Sequence, residues 1–426
     1  MPAWQIESSV YKNITCVIII PAIAEFENIK TLLSSLAEND PLFFERTLIL
    51  FVINNLHSSK PEIIIENQKT IKYLKNIKSS EGVDELSLKI ISSKLQVDYV
   101  DASSAGKELP DKDGGVGLAR KIGMDLALRL FDYKSSEKKI LVCLDADCTV
   151  DNNYLTEIHR AYNLRNLNAA RLNFCHSLNG SNEENLAIIC YELFILYYVL
   201  GLKYANSNYA FPTVGSLITC DYKSYINIEG MNKRKAGEDF YFMEKLAKNF
   251  IIEKITSTTV YPSGRTSWRV PFGTGQRVGR FLSKIRNEYL VYDPGSFVIL
   301  KKWLEVFNEP SVRSANEYLE KAGRIHKTLN DFLVEQNFAQ SWEHIIKNHT
   351  NPVTLQKQKI MWFDGFRTMK LIHFLRDHGF PLKPMFGAIE EILELMNLPF
   401  IKEPNRTQPP SIEIQKKYLD MLRKVI

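Results

Sequence analysis

The residues in this chain best suited to chemistry are Asp145 and Asp147, in the stretch KKILVCLDADCTVDNNYL. The apolar run from Ile140 to Leu144 predicts a buried parallel strand, and the two carboxylates, with Ala146 between them, sit at its carboxyl end. In open α/β sheets ligands bind beyond that end, and two acids one residue apart can hold a divalent cation against a diphosphate. An Asp-rich strand-to-helix turn, with Asp151 capping the next helix, uses the same residue types. Two groups of cations suit an anionic partner. Arg120 and Lys121 fall in the first turns of a predicted helix, where they would meet a diphosphate or form a solvated basic face. Arg265, Arg269, Arg277 and Arg280 lie in VYPSGRTSWRVPFGTGQRVGRF, a loop that could clamp a diphosphate or an anionic acceptor, with Trp268 available to stack on a sugar.

The elements that must position these residues follow from periodicity. Thr15 to Ile20 is a β-branched run closed by Pro21, and Glu25 to Leu36 carries apolar residues at helical spacing. Thr47 to Ile53 predicts a second strand ending in Asn54 and Asn55, and Pro61 to Ile77 a second helix. Strands are expected at Leu88 to Ile91 and Val97 to Val100, and Leu118, Ile122, Leu126 and Leu130 mark a helix. Gly114, Gly115 and Gly117 do not form a dinucleotide fingerprint, because no strand precedes them and Arg120 stands where the third glycine belongs. They predict a mobile loop feeding that helix. This alternation implies a parallel, doubly wound sheet in which Pro21 to Glu25, Asn54 and the Asp145/Asp147 pair share one crevice. Further on, Ala169 to Phe174 and Val214 to Cys220 predict strands. Phe240 to Leu246 predicts a helix opened by Glu238 and Asp239, where acids are favoured by the dipole.

Composition limits the classes of function. The chain has 426 residues, 45% hydrophobic and 24% charged, which is ordinary for a globular protein with one large domain and an attachment or with two domains. A net charge of +5 suits a polyanionic ligand or a membrane surface and is too weak to imply nucleic acid. Six cysteines without C-x-x-C spacing read as reduced core residues. The amino terminus, MPAWQIESSVYKN, has no signal-peptide pattern, so a cytoplasmic location is expected. Leu186 to Leu202 is apolar but contains Glu192, and Ser181 with Glu184 forms a capping box. A buried helix is therefore expected rather than a membrane span.

In order and spacing, VIIIPAIAEFENIKTLLSSL, VINN, GLARKIGMDLAL, LDADCTVD and GEDFYFMEKL resemble the motifs of the family 2 glycosyltransferases of the GT-A fold, over roughly residues 14 to 275. The resemblance implies a GT-A, Rossmann-like, mostly parallel sheet flanked by helices. It also implies transfer of a sugar from a nucleoside-diphosphate sugar to a hydroxyl acceptor, with inversion and with Mn²⁺ or Mg²⁺. Carried over, Pro21, Ala22 and Glu25 look like the nucleoside-contacting loop and Asp145 like a contact near the ribose. Asp147 looks like the metal ligand, Asp239 like the catalytic base and Glu238 like its support. A helix-terminus position lowers an acid's pKa and would keep Asp239 ionised. The chain departs from the family at Ala24, where Asn is usual, and at Asn54 and Asn55, where acids are usual. Asn54 would then contact the nucleoside through an amide that donates as well as accepts, which opens the choice of base.

From about Ser296 the pattern becomes helical, at Phe297 to Phe307, Val312 to Leu329, Asp331 to Phe338, Ser341 to Ile346, Thr354 to His378, Pro384 to Met396 and Ser411 to Ile426. The expected organisation is a catalytic domain over residues 1–295 and a helical region over 296–426. The expected acceptor is a small molecule, a glycan or a lipid-linked molecule, the last compatible with peripheral membrane contact. Two rivals stand beside the transferase. A nucleotidyltransferase would want a Gly-rich phosphate loop after the first strand, which PAIAEFENI lacks, and a catalytically silent nucleotide-sugar-binding scaffold would not need Asp239.

Overall fold

The computed structural model describes residues 4–7, 11–265, 273–402 and 408–426. Their contacts form two compact units, one built from the chain up to Ser177 together with Thr213–Gly264, the other from Leu178–Pro212 together with Gly273–Ile426.

In the first unit the chain runs β1 (Cys16–Ala22), α1 (Phe26–Ala37), β2 (Thr47–Asn54), α2 (Pro61–Lys78), α3 (Glu85–Ser93), β3 (Gln96–Ala102), α4 (Val116–Ala127), β4 (Ile140–Cys143), β5 (Thr149–Val150), α5 (Tyr154–Arg165) and β6 (Ala169–Phe174). After α6 (Asn182–Tyr204), which belongs to the second unit, come β7 (Ile218–Asp221), α7 (Tyr222–Asn227), α8 (Glu238–Asn249) and β8 (Ile252–Tyr261). The eight strands form one mixed, mostly parallel, Rossmann-like sheet in the order β3-β2-β1-β4-β7-β6-β8-β5. The first four are mutually parallel, and β7 and β5 run against their neighbours. Every residue of β2 and β4 is buried, which is why these strands read as continuous apolar runs rather than alternating ones. The parallel order brings the ends of β1, β2, β3 and β4 to one edge, as the doubly wound reading expects.

Several local expectations change. Leu88 to Ile91 lies in α3, because Asp84 and Ser87 form a capping box and Lys94 closes the helix at φ 61°. A short apolar run does not by itself separate strand from helix. β1 continues through Pro21, which lies opposite Val52 in the ladder. Val214 to Cys220 divides into a 3₁₀ turn at Gly215–Leu217 and β7. Asp151 does not cap α5. Its carboxylate accepts from the Thr259 N–H at 2.8 Å and the Tyr261 hydroxyl at 2.9 Å, which ties the β5 turn to β8. β8 itself was unanticipated, although its Ile- and Thr-rich run carries the signal of a strand.

The second unit contains α6, α9 (Thr274–Leu282), β9 (Leu290–Val291), α10 (Pro294–Phe307), α11 (Ala315–Ile325), α12 (Lys327–Glu335), α13 (Phe338–Asn348), α14 (Pro352–Trp362), α15 (Gly365–Asp377), β10 (Lys383–Pro384), α16 (Met385–Leu395) and α17 (Ile412–Val425). The expected helix over Thr354 to His378 is two helices, since the Asp364 carboxylate accepts from the Arg367 N–H and starts α15 afresh. Trp303, Phe307, Tyr318, Phe338 and Trp342 make the aromatic core of this unit. Among the described residues α6 is the one helix long and apolar enough to cross a membrane. Two-thirds of its most apolar stretch is buried, it starts at the predicted Ser181/Glu184 capping box, and its fully buried Glu192 pairs with Arg423 of α17 at 2.7 Å. A carboxylate matched in this way belongs to a protein core. All six cysteines are unbridged, and five are buried.

Candidate active site

Four separate stretches of the first unit meet at the end of β4. Arg120, in the second turn of α4, is 2% exposed, and its Nη2 pairs with Asp145 Oδ1 while its Nη1 pairs with Glu238 Oε1. Ser216, from the turn before β7, donates to Asp145 Oδ2 at 2.6 Å, and the Cys148 thiol donates to Ser216 Oγ at 3.3 Å. Asp239 follows Glu238 in the first turn of α8, half-buried, and its Oδ1 accepts from the Phe240 N–H at 2.7 Å. Close packing requires glycine here. A Cβ on Gly215 would lie 2.2 Å from Arg120 Nη2, and one on Gly117 would lie 2.4 Å from the Arg234 carbonyl oxygen. Gly115, just before α4, and Gly117, in its first turn, thus make close contact with the loop that precedes α8, while Gly114 packs against Leu56 and Pro110.

The electrostatics follow from one guanidinium facing several acids. Burial opposes the charge of Arg120, but Asp145 and Glu238 outweigh it and hold the group protonated. Burial pushes Glu238 up to about 7, against the pull of Arg120 and with the repulsion of Asp239 added. Asp239 is also raised, chiefly by burial, while Arg120 and the Phe240 N–H work the other way. The sequence-based expectation that the helix terminus would keep Asp239 low is thus reversed. Desolvation, with other carboxylates nearby, exceeds the helix-end stabilisation. A carboxylate raised in this way is a stronger proton acceptor once ionised.

At the ends of β1, β2 and β3 a network of neutral side chains lies beside the buried carboxylates Glu25 and Asp101. Asn54 Nδ2 donates to the Ala22 carbonyl at 3.1 Å and the Val52 carbonyl at 3.0 Å. Asn67, on α2, donates to Asn54 O and Asn55 Oδ1 at 3.0 Å each and accepts from the Ala24 N–H at 2.8 Å. Ser103 donates to Asn55 Oδ1. Asn54, Asn55, Asn67 and Ser103 are all at least 95% buried. Ala24 has φ +50°, a left-handed conformation that Asn tolerates better than Ala. Pro21, Ala22 and Asn54 thus come together as expected, and Glu25 lies buried beside them, accepting from Asn28 Nδ2. Asn67, Ser103 and Ser216 were not anticipated. Each lies far along the chain from its partners, and no local motif marks it.

Arg120 is neither a solvated cation nor one facing open crevice, since its guanidinium is spent on two carboxylates. Lys121 pairs with Asp125 one turn on at 3.0 Å. In the second unit Arg277 and Arg280, expected in a loop, lie on α9 and both pair with the buried Glu288, at 2.6 and 3.0 Å, so these two arginines are consumed by a local ion-pair knot. Arg265 is half-buried in its segment, and Trp268 and Arg269 lie outside the described residues. Asp145, Ala146 and Asp147 form the turn after β4, with both carboxylates half-exposed and Ala146 buried. Among the described residues no three His, Cys, Asp or Glu side chains form a ready metal cage. Asp145 and Asp147 nevertheless present two half-exposed carboxylates in one turn. That donor set fits a hard cation that takes one or two protein carboxylates and completes its shell with diphosphate oxygens and water.

No family model and no curated protein matches the chain. Among solved structures, residues 1–349 of Staphylococcus aureus TarS align over 81% of this chain and 90% of that one, at 12% identity and TM-score 0.39. The same protein with UDP-GlcNAc bound has the same coverage and identity and a TM-score of 0.40. The mannosyltransferase PcManGT from Pyrobaculum calidifontis, in complex with GDP-Man and Mn²⁺, covers 88% of each chain at 11% identity and TM-score 0.36. Likeness at this level assigns neither a residue nor a substrate here.

Proposed function

We propose that this chain is a glycosyltransferase that moves a sugar from a nucleoside-diphosphate sugar to a hydroxyl acceptor with inversion, and that it works in the cytoplasm. The observation that carries this reading is the buried guanidinium of Arg120. It joins Asp145 at the end of β4 to the Glu238–Asp239 turn of α8, and this adjacency of two motifs distant in sequence supports reading them as one reaction centre. In this reading the acceptor oxygen attacks the anomeric carbon, its proton passes to Asp239, and the bond to the diphosphate oxygen breaks with the electron pair leaving on the nucleoside diphosphate. Glu238 supports Asp239. Pro21, Ala22 and Glu25 line the nucleoside end, and Asn54 supports them from behind, its amide N–H groups bonded to the Ala22 and Val52 carbonyls. Asp147 and Asp145 would hold Mn²⁺ or Mg²⁺, whose charge offsets that of the leaving diphosphate. The acceptor is a small molecule, a glycan or a lipid-linked alcohol.

The test is turnover of a panel of nucleotide sugars, with and without Mn²⁺, by wild type, Asp147→Ala and Asp239→Asn. One donor should be consumed only with metal. Asp239→Asn should bind that donor yet lose roughly 10²–10⁴-fold in kcat, the usual worth of a general base. Donor binding without turnover by wild type, across a broad set of acceptors, would favour the scaffold reading. Failure to bind any nucleotide sugar would end the transferase reading.

A further inference from the structure

Within the transferase reading above, we propose that Arg120 is a positioning residue, a buried fork that sets the Asp239 turn relative to the donor-side carboxylate Asp145, and does not itself contact the donor. Its side chain is 2% exposed, each terminal nitrogen takes a different acid, and Nε is buried with no acceptor. Orientation therefore rests on the two carboxylates and on the Gly215 backbone, which lies so close that a methyl group would meet Nη2 at 2.2 Å. A guanidinium is rigid and planar, so the separation of Asp145 from Glu238 is fixed by the group between them. Ser216 holds the other oxygen of Asp145 at 2.6 Å, and Asn232 Nδ2 holds the Glu238 carbonyl at 2.8 Å, which restrains both ends of the bridge. Any shift of Asp145 on donor binding is carried to the first turn of α8 by one inflexible side chain. A lysine would supply the same charge from a single nitrogen and could not span both acids in this geometry.

The experiment uses the full chain as wild type, Arg120→Lys and Glu238→Gln. Binding of UDP and of GDP with Mn²⁺ is measured by calorimetry, beside KM and kcat for the donor that wild type consumes and the thermal midpoint of each protein. Arg120→Lys should bind the nucleoside diphosphate within about threefold of wild type while kcat falls about a hundredfold, the scale of an ångström-sized misplacement of a reacting group. Glu238→Gln, which releases one arm of the fork and keeps the other, should show the same split between binding and kcat, so the inference remains testable if the lysine variant does not fold. Unchanged kcat in either variant overturns the proposal. So does a raised KM with kcat intact, which would make Arg120 a donor-binding residue. Wild type that binds neither UDP nor GDP overturns the transferase reading and this inference with it. Wild type that binds one of them alongside an unaffected Arg120→Lys overturns this inference alone.

Discussion

At the ends of β1, β2 and β3 the amides of Asn54, Asn55 and Asn67 and the Ser103 hydroxyl pair with one another, beside the buried carboxylates Glu25 and Asp101. Asp101 is met by backbone N–H groups and Lys107. At the end of β4 and the start of α8 the buried cluster is instead one of carboxylates that outnumber the guanidinium between them. Both groups sit on the same edge of one sheet. The neutral network is matched internally, so it gains by staying closed and stiffens the frame. In the charged group one guanidinium serves both Asp145 and Glu238. Burial, with the repulsion of neighbouring carboxylates added, raises Glu238 and Asp239.

The comparison breaks most visibly at Arg120. Arg120→Met should cost about 3–5 kcal/mol, since it leaves buried acids without their cation, and the urea midpoint would report it. A loss smaller than that of the amide variant below would mean the charged cluster is not the more strained of the two. The next effect is a pH dependence. Because Glu238 is raised from 4.5 to about 7 in the folded chain, the native state keeps a proton that the unfolded state has released. Stability from this group therefore falls as pH rises from about 4.5 to about 7, by on the order of 2–3 kcal/mol. Thermal midpoints across that range should decline in wild type and decline less steeply in Glu238→Gln, which leaves the raised Asp239 in place, whereas Asn67→Ala should keep the wild-type slope. Asn67→Ala itself should cost about 1–3 kcal/mol at every pH, as expected for unpaired buried amide groups, with no change in denaturant slope. The smallest effect is at Ala24. Replacing this φ +50° alanine with asparagine should stabilise the chain by roughly 0.5–1 kcal/mol, readable as a rise of a few degrees or less in the thermal midpoint.

Much of the frame was legible in the order of residues. Cys16 to Ala22, Thr47 to Asn54 and Ile140 to Cys143 are central parallel strands, buried on both faces, and such strands must be apolar throughout. The Ser181/Glu184 capping box likewise declared the start of α6. Leu88 to Ile91 misled because four apolar-rich residues fit either period, and the deciding contact, Asp84 with Ser87, lies just outside them. Asp151 misled because an Asp before a helix has a local partner available, yet here the partner came from β8, more than a hundred residues away.

The sequence alone determined which strands are central and where carboxylates and amides fall along the chain, because hydrophobic period and residue type are local properties. It placed Asp145, Asp147, Glu238 and Asp239 at a strand end and a helix start. Only the tertiary structure decided that Arg120 turns inward between two of those acids, that Asn67 closes the amide network, and that Asp239 is raised rather than lowered. A pKa and a buried ion pair depend on what surrounds a group in space, and desolvation is set by neighbours that the chain brings from far away.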